Sequence, residues 1–136
     1  MTESQSVFCW PVRVYYEDTD AGGIVYYANY LKFMERARSE WLRSRGADPA
    51  ILSCDSGEMF VVRSVKLDFL QPAHLSDTLD VSVRVIRRRP ASVMLHQDVT
   101  RAGKMLCSGE VRLACIDIHT LRPRPLPGFF ANENNH

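Results

Sequence analysis

Glu17, Asp18 and Asp20 put three carboxylates within four residues, and Gly22, Gly23, Tyr26, Tyr27 and Tyr30 follow in the stretch EDTDAGGIVYYANY. Asp tolerates turns and caps helices, and paired glycines permit positive φ, so a purely structural turn is one reading. A calcium loop is a second. It fails because Gly22 stands where the fifth position wants an acid or amide, and Asn29 stands where the twelfth wants Glu. A phosphate loop fails too, since the GxxxxGK-S/T pattern is absent. The third reading is catalytic. A strand ending in a carboxylate, then a glycine turn and a helix, sets that carboxylate beside the free N–H groups of a helix N-terminus. Such an N–H polarises a carbonyl while the carboxylate activates water or attacks directly, which is the chemistry of hydrolysis.

The elements that must position this turn are legible on either side of it. Phe8, Trp10, Val12, Val14 and Tyr16 alternate with Arg13 and Tyr15, the pattern of a half-buried strand, and Pro11 assigns it to a sheet edge. After the turn, ANYLKFMERARSEWLRSRG reads as a helix whose inner face carries Tyr30, Leu31, Met34, Ala37, Trp41 and Leu42 and which stops at Gly46. Residues 47–57 read as a loop or short helical turn. Four further strands follow, in FVVRSVKLDFL, DTLDVSVRVIRR, SVMLHQDVT and KMLCSGEVRLACIDI, the last two joined by an Ala102-Gly103 hairpin. The segment RPRPLPGFF reads as an extended surface tail. The order β-α-β-β-β-β predicts an α+β fold, a five-stranded antiparallel sheet curved around one long helix, with a sheet edge left for a second copy or another surface to contact.

Bulk properties fit that economy. The 136 residues make one domain, 1–136, with loose tails expected at 1–6 and 128–136. A net charge of +1 gives no general reason to bind nucleic acid or an anionic membrane. The start MTESQSVFCWPVR lacks the build of a secretory leader, and charged residues interrupt every apolar run, so no membrane span is expected. Cys9, Cys54, Cys107 and Cys115 show no CxxC spacing and read as reduced thiols rather than a metal or disulfide framework. His74, His96 and His119 lack metal-ligand spacing, so no metal is expected.

VRVYYEDTDAGGIVYYANYLKFMERARSEWL resembles the signature of the hotdog-fold acyl-CoA thioesterases. It is closest to the branch associated with the Tol-Pal system and similar to the 4-hydroxybenzoyl-CoA thioesterases. The likeness continues through FVVRSVKLDFLQPAHLSDTL and ACIDIHTLRPRPLP, from about Phe8 to Pro127. It implies a hotdog fold, hydrolysis of acyl-CoA to a carboxylic acid and free coenzyme A, and no cofactor beyond the coenzyme A of the substrate. It implies Asp20 as the catalytic carboxylate, Asp18 as a shaper of the turn, and the backbone N–H of Tyr27, in the first turn of the helix, as oxyanion donor. Many Tol-Pal-associated relatives carry His at that position, a departure to which a backbone donor is indifferent. It also implies a cytoplasmic enzyme, assembled as a dimer or tetramer of hotdog dimers, with acyl carrier protein as a further candidate partner.

Remaining candidates concern the substrate. Arg87, Arg88 and Arg89 form a basic run at a strand–strand turn, and Arg grips phosphate bidentately. The resemblance favours Arg89 with the small segment at Ala91 and Ser92 as the coenzyme A contact. Arg63 is a candidate toward the ligand or a neighbouring subunit, and Tyr27 and Tyr30 are candidate walls of the acyl pocket. Glu35 and Arg38 read as short-range stabilisers of the helix or of subunit contacts. Two rivals stand beside this reading. A hotdog hydratase or dehydratase would want a histidine, and none is near the acidic turn in sequence. A non-catalytic partner of acyl carrier protein or of an envelope complex would have no use for Asp20.

Overall fold

Alternating apolar residues draw the strands into one antiparallel sheet, ordered β1-β3-β4-β5-β2, in a computed structural model that describes residues 7–51 and 56–132. The strands are β1 (Phe8–Arg13), β2 (Glu58–Phe69), β3 (Thr78–Arg88), β4 (Ser92–Arg101) and β5 (Lys104–Asp117). The sheet curves around helix α1 (Asn29–Ser44), and a short helical turn, Pro49–Ile51, follows the helix. This is the expected five-stranded hotdog arrangement. Register shifts at Val62/Ser64 in β2 and Val85/Arg87 in β3 are β-bulges, which increase the twist that curvature needs.

The inner face of the sheet is set by period two. Leu79, Val81, Val83 and Val85 of β3, with Val93, Leu95 and Val99 of β4, are all buried against α1. The helix answers with Tyr30, Phe33, Met34, Ala37, Trp41 and Leu42. Leu31, expected on that face, is 42% exposed, and Phe33, which the sequence reading passed over, is fully buried. Consecutive helical residues lie about 100° apart, so a stripe centred on Tyr30, Phe33, Met34 and Ala37 turns Leu31 outward. Arg38 also turns inward. Its Nη1 donates to Gln97 Oε1 at 2.9 Å. Burial lowers its pKa, and nearby Glu35 offsets part of that.

Strands β1 and β2 are the two edges of the sheet, each paired on one side among the described residues. Pro11 sits in edge strand β1, paired only with β3, as its missing N–H requires. Phe8 and Trp10 stack on each other with ring centroids 6.2 Å apart. Tyr16, expected to point inward with Val14, is 82% exposed, because the strand ends at Arg13 and a 3-10 turn (Tyr16–Asp18) begins. At the other edge β2 exposes Met59, Val62, Val65 and Phe69. It lies unusually close to β5: a Cβ on Gly109 would meet Leu67 Cδ2 at 2.2 Å and Lys66 O at 2.5 Å, so only glycine fits there.

The expected loose tail needs correction over residues 128–130. Gly128–Asn132 forms a 3-10 turn, and Phe130 is 1% exposed. Its ring packs 5.7 Å from Trp41 and 5.9 Å from Phe60, and the Phe130 carbonyl accepts from Arg88 Nη1. Aromatic burial outweighs the proline-rich, solvated look of the preceding segment. Cys54 and the expected tails at 1–6 and 133–136 lie outside the described residues.

Candidate active site

After β1 the chain folds the acidic turn into a miniature hairpin. Thr19 pairs with Val25, Asp20 N–H bonds Ile24 O at 3.0 Å, and Gly23 N–H bonds Asp20 O at 3.0 Å. Gly23 has φ of +77°, a conformation that costs glycine nothing. Asp20 is exposed, and its Oδ1 accepts the Gly22 N–H at 2.9 Å, the Asx turn that Asp and Gly predict. Asp18 faces the other way. It is 1% exposed, its Oδ2 accepts Tyr15 N–H at 2.8 Å, and its Oδ1 is buried with no partner among the described residues.

The returning strand leads straight into α1. Tyr26 N–H bonds Asp18 O at 3.1 Å, Asn29 Nδ2 bonds the same oxygen at 2.8 Å, and Asn29 N–H bonds Tyr26 O at 2.8 Å. The helix begins at Asn29, so Tyr27 stands two residues ahead of it rather than in its first turn, a correction to the sequence reading. The capping residue is Ala28, which has no side-chain acceptor, so the loop rather than a cap sets the boundary. Among the described residues, neither Tyr27 N–H nor Ala28 N–H donates a hydrogen bond. Both stand at the positive end of the helix dipole.

Aromatic rings cluster beside this loop. Tyr27 lies 4.8 Å from Tyr26 and 5.8 Å from Phe69, and Tyr30 lies 5.7 Å from Phe69. A hollow of about 260 Å³ is lined by Val25, Tyr27, Tyr30, Phe69, Gln71 and Pro72, among others. Tyr30 offers it a ring, and its hydroxyl accepts Ala73 N–H at 3.1 Å. Burial pushes the Tyr30 hydroxyl above the ordinary phenol range. The side-chain hydrogen bond that the Tyr26 hydroxyl makes to Tyr27 does the same for Tyr26.

A histidine also arrives. Although none is near the acidic turn in sequence, Ile24 pairs with His74 in an antiparallel bridge, and Val25 N–H bonds Ala73 O at 2.8 Å. Asp20 and His74 therefore flank Ile24 across three adjacent segments. The His74 Nδ1 stands 3.9 Å from Asp77 Oδ2. Burial pushes the Asp77 carboxyl up, but hydrogen bonds from His74 N–H and Arg101 leave it below the usual carboxylate range. No local pattern announces this contact, because the residues are fifty positions apart.

The basic candidates form a separate group. Arg89 N–H bonds Ser92 O at 2.8 Å and closes the β3–β4 turn. Arg89 and Ser92 line a hollow of about 230 Å³ with Arg87, Met94 and Arg112. Arg112, missed in the sequence, was readable from β5 alternation, for it pairs with Met94 on the outer face. Arg63 stands apart, exposed at the β2 bulge. The fold thus brings Tyr27 to Tyr30 and Arg89 to Ser92, while Asp20 and Arg63 line neither hollow. His96 pairs with Asp98 at 2.9 Å on the outer sheet face. Among the described residues no group of three or more His, Cys, Asp or Glu could hold a metal ion, and no helix is long and apolar enough to cross a membrane.

The sequence pattern of the thioesterase superfamily matches residues 22–108. The acyl-CoA thioester hydrolase YbgC of Escherichia coli is 41% identical over 123 residues, covering 90% of this chain and 91% of that protein. The acyl-CoA thioesterase YbgC of Haemophilus influenzae is 41% identical over 120 residues, covering 88% of each. The crystal structure of a probable thioesterase from Bartonella henselae superposes with a TM-score of 0.84 at 35% identity, covering 90% of this chain and 100% of that one.

Proposed function

The chain belongs to the thioesterase superfamily, and on that premise we propose that it is an acyl-CoA thioester hydrolase with Asp20 and the Tyr27 N–H as its catalytic pair. Acyl-CoA and water give a carboxylic acid and free coenzyme A. The thioester carbonyl oxygen accepts the Tyr27 N–H, which offsets the negative charge that grows there as the carbon becomes tetrahedral. Asp20 takes a proton from the attacking water, and the coenzyme A sulfur leaves with the electron pair and picks up a proton. Direct attack by Asp20, through an anhydride that water then opens, uses the same two contacts. Single turnover in ¹⁸O-water tests the second route, since water that opens the anhydride at the Asp20 carbonyl labels the protein carboxylate, whereas the first route never does.

One observation carries this reading. Asp20 and the two unbonded N–H groups hang from a single loop, residues 18–29, closed on itself through Asp18 O. Supporting roles follow from the other groups. Arg89, with Ser92, grips the coenzyme A phosphates; Tyr30 and Tyr27 wall the acyl group. Met59, Val62, Val65 and Phe69 along an unpaired edge suit a second copy of the chain, and Arg63 at that edge reaches the neighbour or its ligand. A cytoplasmic setting suits a coenzyme A thioester as substrate, and acyl carrier protein would present the same kind of thioester. Purified protein is incubated with a panel of acyl- and aroyl-CoAs and the released thiol is measured. Release that depends on time and enzyme is expected, and silence across the panel rejects the reading.

The arrival of His74 beside Ile24 keeps a hydratase as the second reading. Incubation with an enoyl-CoA decides between them. A hydrolase releases thiol, whereas a hydratase bleaches the enoyl absorbance and releases none.

A further inference from the structure

Asn29 is the first residue of α1, and nothing in its neighbourhood asks for an amide to stabilise the helix. Its N–H already bonds Tyr26 O at 2.8 Å, and its side chain makes no cap. The carboxamide instead reaches back eleven positions, and Nδ2 donates to Asp18 O at 2.8 Å. That oxygen already accepts the Tyr26 N–H at 3.1 Å, so both its lone pairs are used. These bonds close the loop that carries Asp20 on its outward arm and Tyr27 on its return. From this geometry we infer that Asn29 is a positioning residue: its amide fixes the separation between the Asp20 carboxylate and the Tyr27 N–H. The inference rests on the proposed roles of those two groups.

The physical reason for a second clamp lies in the weakness of the first. Asp20 is held by turn hydrogen bonds at the exposed tip of the hairpin, and the two N–H groups precede the first helical turn, where no intrahelical bond restrains them. The return arm is pinned to the neighbouring segment by Val25 N–H to Ala73 O and Leu75 N–H to Gly23 O, whereas Tyr26 N–H to Asp18 O is the backbone bond that ties the outward arm to the helix entry. A second donor on the same oxygen, rooted in the helix, fixes the outward arm against α1. It also ties Asp18, whose carboxylate is bonded to Tyr15 N–H, to the start of α1. A positional error of about 1 Å between reacting groups costs on the order of 10²-fold in rate.

The test uses Asn29→Ala, which deletes the amide, and Asn29→Asp, which keeps its volume but replaces the donor with an acceptor facing Asp18 O. Each is made alone and with Asp20→Asn. Both single variants are expected to lose on the order of 10²-fold in kcat with KM within about threefold. Asn29→Asp should be at least as impaired as Asn29→Ala. Melting temperature monitors folding, and a merely structural asparagine would move it while leaving kcat near wild type. In the Asp20→Asn background, removing the amide should cost little further, because a group that acts through Asp20 has nothing left to position. Unchanged kcat in both variants, or a loss that multiplies fully with Asp20→Asn, overturns the inference. An inactive Asp20→Asn beside fully active Asn29 variants overturns it alone. Full turnover in Asp20→Asn overturns the catalytic assignment beneath it and the inference together.

Discussion

Replacing Asp20 by Asn tests the chemistry with little structural disturbance. The carboxylate is exposed and accepts one hydrogen bond, Gly22 N–H to Oδ1 at 2.9 Å, which the Oδ1 of Asn also accepts. An exposed, isosteric change of this kind moves stability by no more than about 0.5 kcal/mol, roughly 2 °C in Tm for a chain of this size. Turnover is another matter, because the amide can neither take a proton nor attack. Losing a positioned base costs on the order of 10² to 10⁴ in kcat, or about 3–5 kcal/mol of barrier. KM should hardly move, since the exposed amide keeps the shape that binds substrate. The assay follows coenzyme A release with a thiol reagent, and the protein's own thiols bear on its blank. Cys107 and Cys115 are buried, which pushes their pKa to about 12 and about 11, so they stay protonated and slow to react. Cys9 is exposed and supplies a background that a substrate-free control subtracts. Turnover within about threefold of wild type would remove Asp20 from the mechanism and send the search to Glu17, Asp18 and His74.

Tyr27→Phe keeps the backbone donor and the ring contact with Phe69, so kcat should stay within about threefold; a loss near 10³-fold would transfer the oxyanion role to the phenol hydroxyl. Arg89→Ala should raise KM about tenfold or more with kcat little changed, and added salt should shrink the difference, as expected for a charged contact to phosphate. An unaltered KM would make Arg89 a turn residue only. Phe130→Ala should lower stability by about 3–5 kcal/mol and Tm by about 10 °C or more, while kcat below the transition is retained. An unchanged melting temperature would mean that the Gly128–Asn132 turn contributes nothing to the core.

The sequence reveals this fold where a face is set by local period. The alternation in β3 and β4 and the helical spacing of Tyr30, Met34, Ala37 and Trp41 are local signals, each enough to orient its own element. Local pattern misleads where a distant partner decides. Phe130 reads as tail in the sequence because its prolines are local and Trp41 is not, and Leu31 reads as core because the centre of the stripe depends on what the sheet offers opposite Phe33. The candidate site divides the same way. That the acidic turn would reverse the chain was legible from Asp20, Gly22 and Gly23. What stands around that turn was not. His74 arrives through a backbone bridge to Ile24, Phe69 through the edge of the sheet, and the helix start shifts to Asn29 through a bond to Asp18. The local sequence specifies a turn that could serve structure or chemistry equally well. Its long-range contacts hold a carboxylate and two N–H groups, unbonded among the described residues, in one hydrogen-bonded loop, and on the proposed reading that closure separates a hydrolytic site from an ordinary turn.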